Sequence, residues 1–183
     1  MKRYWPNNST YFLTGSTFIH FPYFKTFEQK MLVLNQIIKV KKVFGIPEII
    51  FSIAINHYHL KFYLKNGLDL ARIKQMMHGG ISYEYHKIYK PKYKEMWQSF
   101  RALIVLSEEV DSKVMGYIIG NLLKHKEVTT FLELEKNPFS SYGKIAAKYG
   151  EQRARELVYG VIDTTEDAEG KVDIGDLKSL TLG

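Results

Sequence analysis

At 183 residues the chain is long enough for one domain with a sizeable core. It contains no cysteine, which excludes disulfides, thiolate metal sites and cysteine nucleophiles and leaves only nitrogen and oxygen ligands for any metal. The net charge of +7 is unevenly spread: the stretch 161–183 holds six acids against Lys171 and Lys178, so the first 160 residues carry 24 basic against 13 acidic side chains, a net +11.

Residues 10–19, rich in Tyr, Phe, Thr and Ile, predict a first strand. Over 25–44, Phe27, Met31, Leu34, Ile37, Ile38 and Lys41 recur at helical spacing, and Gly45 and Pro47 end the segment. The run 48–64 is too long for one strand and reads as a hairpin, 49–54 and 57–64, turning at Ile55-Asn56. In its second strand Tyr58, Leu60, Phe62 and Leu64 share one face, and His57, His59, Lys61 and Tyr63 share the other. A second helical pattern over 68–89 is expected to break at Gly79-Gly80, and Pro91 closes it. Residues 96–106 read as a strand in which Trp97 is a buried anchor. Ser107, followed by Glu108 and Glu109, is a fair N-cap for a helix over 110–124 that ends in the cations Lys124, His125 and Lys126. An irregular stretch around 137–142, a helical patch over 150–159 and an acidic tail, expected to be disordered, complete the chain.

This order predicts an α+β fold, an antiparallel sheet with helices on one face, of the ferredoxin-like or RNA-recognition-like kind. Residues 1–150 form the main domain, and 151–183 form a C-terminal helix and acidic tail. The basic, aromatic-rich body suits nucleic acid, above all single strands, although a basic surface without a partner gives the same composition. Candidate phosphate contacts are Lys61, Lys74, Lys87, Lys90 and Arg101. No run approaches the ~20 apolar residues of a membrane span, and the basic N-terminus continues into polar residues, so a cytoplasmic location is expected.

The chemistry centres on Asn56-His57-Tyr58-His59. Two imidazoles two residues apart on a strand lie side by side, which is half of a metal site or, equally, a hydrogen-bonded pair. Tyr117 and Asn121, four apart, share one helical face, while His78, His86 and His125 lack ligand spacing.

With Thr10-Tyr11-Phe12-Leu13-Thr14, Met96-Trp97-Gln98, Tyr117-Ile118-Ile119-Gly120-Asn121 and Pro138-Phe139-Ser140-Ser141-Tyr142, the chain resembles the single-tyrosine transposases of the HUH nuclease superfamily, most closely the REP-associated tyrosine transposases. The likeness spans roughly the first 145 residues; it departs at Leu122, where the family usually has proline. The resemblance implies metal-dependent cleavage and rejoining of single-stranded DNA near imperfect hairpins, with Tyr117 as nucleophile and a covalent 5′-phosphotyrosine intermediate. It also implies Mg²⁺ or Mn²⁺ held by His57, His59 and Asn121. Relatives include monomers and homodimers that exchange active-site helices, and both remain open. A noncatalytic nucleic-acid-binding protein and a rolling-circle replication initiator are the competing readings.

Overall fold

The computed structural model describes residues 5–165, Ile174 and 178–181. Most of the acidic tail therefore lies outside the described residues. The elements in chain order are β1 (Ser9–Thr17), α1 (Phe27–Val43), β2 (Ile50–Ile53), β3 (His57–Leu64), α2 (Asp69–Lys74), a π-helical turn (Gln75–Gly79), α3 (Gly80–Ile88), β4 (Trp97–Val105), α4 (Glu108–Lys124), α5 (Phe131–Lys136), α6 (Tyr142–Tyr149), α7 (Glu151–Tyr159) and β5 (Lys178–Thr181).

The strands form one antiparallel sheet in the order β2-β3-β1-β4-β5, so the chain adopts the expected α+β architecture, with helices on both faces of the sheet rather than on one. β1 runs through its centre, which is why Tyr11, Phe12 and Leu13 are all fully buried. The register sorts side chains by face, because antiparallel partners point the same way. Thr14 and Ser16 of β1 stand opposite His59 and His57 of β3 and opposite Arg101 and Ser99 of β4. Tyr11 and Leu13 share the other face with Phe62, Leu60, Ile104 and Ala102, all buried.

The apolar face is covered by the α1–α3 layer. Tyr58 meets the rings of His78 and Trp97 there, and Gln36 of α1 packs against Gly80. α4 lies on the opposite, histidine-bearing face, with the Tyr117 ring 6.2 Å from Phe12 and Asp111 ion-paired to Lys61 at 2.5 Å.

Several boundaries follow from local chemistry. Thr26 and Gln29 form a reciprocal capping box at the start of α1. Ser107 accepts from Val110 N at the start of α4, as its sequence suggests. The expected break at Gly79-Gly80 does not occur. The helix continues through a π-helical turn, with Gly80 close against the end of the Gln36 side chain of α1.

The stretch around 137–142 is more ordered than expected. α5 and α6 flank it, and residues 139–141 bind the free edge of β2 through Ile53 N to Phe139 O (2.9 Å) and Ser141 N to Phe51 O (2.9 Å). That edge is thereby closed. Within the tail, 178–181 form β5 against β4 rather than remaining irregular.

α7 packs on α4 through two glycines. A Cβ at Gly116 would lie 2.0 Å from Leu157 O, and one at Gly120 would lie 2.6 Å from Val158. Backbone contact this close holds the outer side of α4, so the C-terminal helix fixes the helix that carries Tyr117 and Asn121.

Candidate active site

β3 supplies His57 and His59, and α4 supplies Tyr117 and Asn121. The imidazole centroids of His57 and His59 are 4.9 Å apart, and the Tyr117 ring stands 5.1 Å from His59. Asn121 Oδ1 is 3.1 Å from His57 Nε2. The four residues picked from the sequence thus meet in one place, between α4 and the sheet.

Neighbouring groups fix the imidazoles. Asn56 donates its amide to His20 O at 3.1 Å, which turns its Oδ1 toward His57 Nδ1 at 2.7 Å. Each ring nitrogen of His57 thus lies within hydrogen-bond distance of a carboxamide oxygen, Nδ1 of Asn56 Oδ1 and Nε2 of Asn121 Oδ1. His59 Nδ1 bonds Thr14 Oγ1 at 2.8 Å, and its Nε2 is buried with no hydrogen-bond partner. Burial, with lesser contributions from the charges of His125 and Lys124, lowers the His59 pKa to about 3, so the ring is neutral near pH 7. Asn121 Nδ2 is also buried without a partner.

The buried, unpartnered His59 Nε2 thus lies in the same place as His57 Nε2 and Asn121 Oδ1. That arrangement fits a divalent cation. Among the described residues no three His, Asp or Glu side chains gather into a metal-binding group, so a cation here would need the carboxamide oxygen of Asn121 as its third protein donor.

The loop entering β3 is held by Glu127, which accepts from Ile55 N at 2.8 Å and pairs with Lys30 at 2.5 Å. Ser140 donates to Ile119 O at 3.1 Å and so ties the 137–142 segment to α4. Lys124 lies 4.6 Å over the Tyr117 ring and donates to Thr164 O. Tyr117 itself is 2% exposed.

Sequence spacing passed over His125. Its ring is 4.8 Å from that of His57, where the C-terminal end of α4 delivers it. The signal was present: Tyr117, Asn121 and His125 are spaced by four, one side of one helix. Glu127 had no sequence signal, because it acts through a backbone contact and an ion pair with a residue distant in sequence, and Thr14, though within the stretch that carries the resemblance, takes its role from cross-strand pairing with His59.

The cationic candidates separate. Arg101 lies in the same row of the sheet as Thr14 and His59. Lys61 is buried and ion-paired to Asp111, so it joins α4 to β3 rather than lying free at the surface. Lys74, over the Phe100 ring, and Lys87, paired with Glu84, belong to the helical layer on the opposite side of the sheet from the histidines; Lys90 follows α3 and is exposed. Trp97 is an anchor but only half-buried, not buried as expected: its Nε1 donates to His78 O and Ser82 Oγ, and its ring stacks on His78 at 4.0 Å.

No family model and no curated protein matches the chain. Among solved structures, a REP-associated tyrosine transposase bound to a REP hairpin is similar, with 21% identity over 93% of this chain and 96% of that one, and a TM-score of 0.67. A transposase candidate from Deinococcus radiodurans R1 is 13% identical over 64% of this chain and 93% of that one, with a TM-score of 0.47. The chain has the fold of a REP-associated tyrosine transposase.

Proposed function

We propose that this protein is a REP-associated tyrosine transposase, a metal-dependent endonuclease that cleaves and rejoins single-stranded DNA near hairpins through a covalent bond to Tyr117. The observation that carries the reading is the meeting of His57, His59, Asn121 and Tyr117 between α4 and one face of the sheet, with the buried His59 Nε2 unpartnered among them. The shared fold with a transposase bound to a REP hairpin supports a hairpin substrate. The net +11 of the first 160 residues supports a polyanion.

Under this reading His57 Nε2, His59 Nε2 and Asn121 Oδ1 hold one divalent cation, and the two imidazole nitrogens favour Mn²⁺ over the harder Mg²⁺. When bound, that ion polarises a non-bridging phosphate oxygen and offsets the charge of the transition state. Tyr117 Oη attacks phosphorus, the phenol proton is lost to solvent, and the bond from phosphorus to the 3′-oxygen breaks. The products are a 5′-phosphotyrosine and a strand whose 3′-oxygen has taken up a proton. The Lys124 cation beside the phenol stabilises negative charge gathering at the reacting group. Reversal by another 3′-hydroxyl transfers the strand. Thr14 and Asn56 keep the two imidazoles oriented throughout.

A specific observation favours a second reading, a noncatalytic hairpin-binding protein: Tyr117 is 2% exposed under Lys124, and a nucleophile must reach its phosphate. Labelled single-stranded hairpin DNA incubated with protein and Mn²⁺ or Mg²⁺ separates the two on a denaturing gel. The enzyme reading expects a protein–DNA adduct lost with EDTA, His57→Ala or Tyr117→Phe. Tight binding with no adduct on any hairpin selects the binder.

A further inference from the structure

Between α3 and β4 the chain runs Lys87-Ile88-Tyr89-Lys90-Pro91-Lys92-Tyr93-Lys94, lysines interleaved with aromatic rings and no acid until Glu95. Lys87 pairs with Glu84 at 3.6 Å. Among the described residues no carboxylate pairs with Lys90, Lys92 or Lys94, and all three are exposed. The ammonium of Lys92 lies over two half-buried rings, 5.2 Å from the centroid of Phe21 and 5.3 Å from that of Tyr93. Uncompensated cations beside aromatic rings suit a polyanion that also carries flat bases.

The other side of this surface is the corner that follows β1, residues 18–21. Phe18 and Phe21 each stand edge-on to Tyr93 at 5.5 Å. Phe18 N donates to Met96 O at 2.9 Å, Ile19 N to Gln98 Oε1 at 2.8 Å and Tyr93 N to Tyr23 Oη at 3.2 Å, so the corner and the lysine loop are tied together. Ile19 has φ 46° and His20 φ 53°, a left-handed backbone that a β-branched residue resists. Ile19 is nevertheless 55% exposed, so burial does not offset the strain. Strained residues held by their surroundings cluster where a chain clamps a ligand.

The surface lies at the end of the sheet where the candidate chemistry is. Ser16 stands opposite His57, and Thr17 opposite Trp97, so the corner leaves β1 and the lysine loop enters β4 at the end where β3 begins with His57. Thr17 N donates to Asn56 O at 2.9 Å, and His20 O accepts from Asn56 Nδ2 at 3.1 Å. Asn56 is the residue whose Oδ1 lies 2.7 Å from His57 Nδ1.

We infer that the 89–94 loop and the 18–21 corner form a track for the unpaired nucleotides beside a DNA hairpin, with backbone phosphates on Lys90, Lys92 and Lys94 and a base against Tyr93, and that the strand runs on past Asn56 to His57. As a phosphate draws the Lys92 ammonium off the rings, the face of Tyr93 opens to the base. A paired stem would offer phosphates to the lysines but no free base to the ring. The inference rests on the nuclease reading for its substrate class, but its test does not depend on cleavage.

The test titrates fluorescent hairpin oligonucleotides, blunt or with an unpaired extension, against wild type, the triple variant Lys90→Gln/Lys92→Gln/Lys94→Gln, Tyr93→Ala and Tyr93→Phe, over a salt series without divalent cation. The triple variant is expected to lower the slope of log affinity against log salt by about two on the extended hairpin, roughly 0.7 for each of its lost phosphate contacts, which is about a hundredfold in affinity at ~0.1 M salt. Its melting temperature stays level, because the substitutions lie on the surface, and its binding to the blunt hairpin stays at the wild-type level. Tyr93→Ala is expected to weaken binding to the extended hairpin about tenfold with the slope unchanged, and Tyr93→Phe to retain affinity, since the ring and not the hydroxyl meets the base. A single abasic site moved along the extension weakens wild-type binding at one position and adds nothing to the loss in Tyr93→Ala at that position, a pattern that general destabilisation does not produce.

A triple variant with wild-type affinity and slope on the extended hairpin overturns the inference. So does an equal loss on the blunt hairpin, which would assign the lysines to the paired stem, and so does a Tyr93→Ala protein with the abasic profile of wild type. In parallel reactions with Mn²⁺, lysine-dependent binding of the extension with no covalent adduct would leave the track intact and remove the tyrosine chemistry. A metal-dependent adduct on strands whose binding ignores all the variants would do the reverse. A wild-type protein that binds neither oligonucleotide contradicts both.

Discussion

His59 and His78 present the same local picture on opposite faces of one sheet. Burial is the main cause that lowers each pKa to about 3, and each has a buried Nε2 without a hydrogen-bond partner. Their surroundings differ. His78 lies in the π-helical turn, stacked on Trp97 at 4.0 Å and edge-on to Phe100 and Tyr58, inside an apolar layer. His59 has another imidazole 4.9 Å away, Tyr117 at 5.1 Å and Thr14 on its other nitrogen. A shifted pKa and an orphaned nitrogen therefore do not mark a site; the convergence of several donors does.

The contrast breaks most sharply at the nucleophile. Tyr117→Phe is expected to remove covalent adduct entirely, a loss of about a thousandfold or more, while leaving hairpin affinity nearly intact. A denaturing gel beside an anisotropy titration reads both quantities. On the other face, Trp97→Ala is expected to cost about 3 kcal/mol of stability by chemical denaturation, with adduct formation retained per folded molecule.

These two substitutions also separate what the chain made legible from what it hid. The hairpin, the alternation along His57–Leu64 and the Ser107 cap were readable because each is a local pattern of period two or a capping signal. The Tyr117–Asn121 pair was readable from helical spacing, and its partnership with the histidines came from the family resemblance. The π-helical turn was not readable. Two glycines normally signal a break, but packing of the π-helical turn and α3 against α1 carries the helix through them. α5 and α6 are short, six and eight residues, and are stabilised by docking against α4, α7 and the β2 edge rather than by a long amphipathic stripe. The grouping of Thr14 with His59 depends on strand pairing, which no window of sequence contains.

A smaller effect sharpens the comparison at the first layer of support. Thr14→Val removes the bond to His59 Nδ1 and is expected to weaken Mn²⁺ binding, read by calorimetry, about 10- to 100-fold. His78 has no comparable dependent, so His78→Phe should leave metal affinity unchanged.

The same pair of histidines also sets a pH dependence. Both folded-state pKa values fall from 6.5 to about 3, so between those limits the unfolded chain binds more protons and stability declines as pH drops. From pH 7 to pH 5 each histidine contributes a loss of about 2 kcal/mol. His78→Phe should remove one such contribution and flatten the slope in metal-free protein, and added Mn²⁺ should oppose the part belonging to His59. Urea unfolding at the two pH values reads both.

The most direct measurement is mass spectrometry of the adduct after nuclease and protease digestion. A 5′-linked nucleotide on the peptide containing Tyr117, absent without divalent cation, is the predicted result. A nucleotide on another residue, or cleavage that leaves no covalent bond to the protein, would contradict the account.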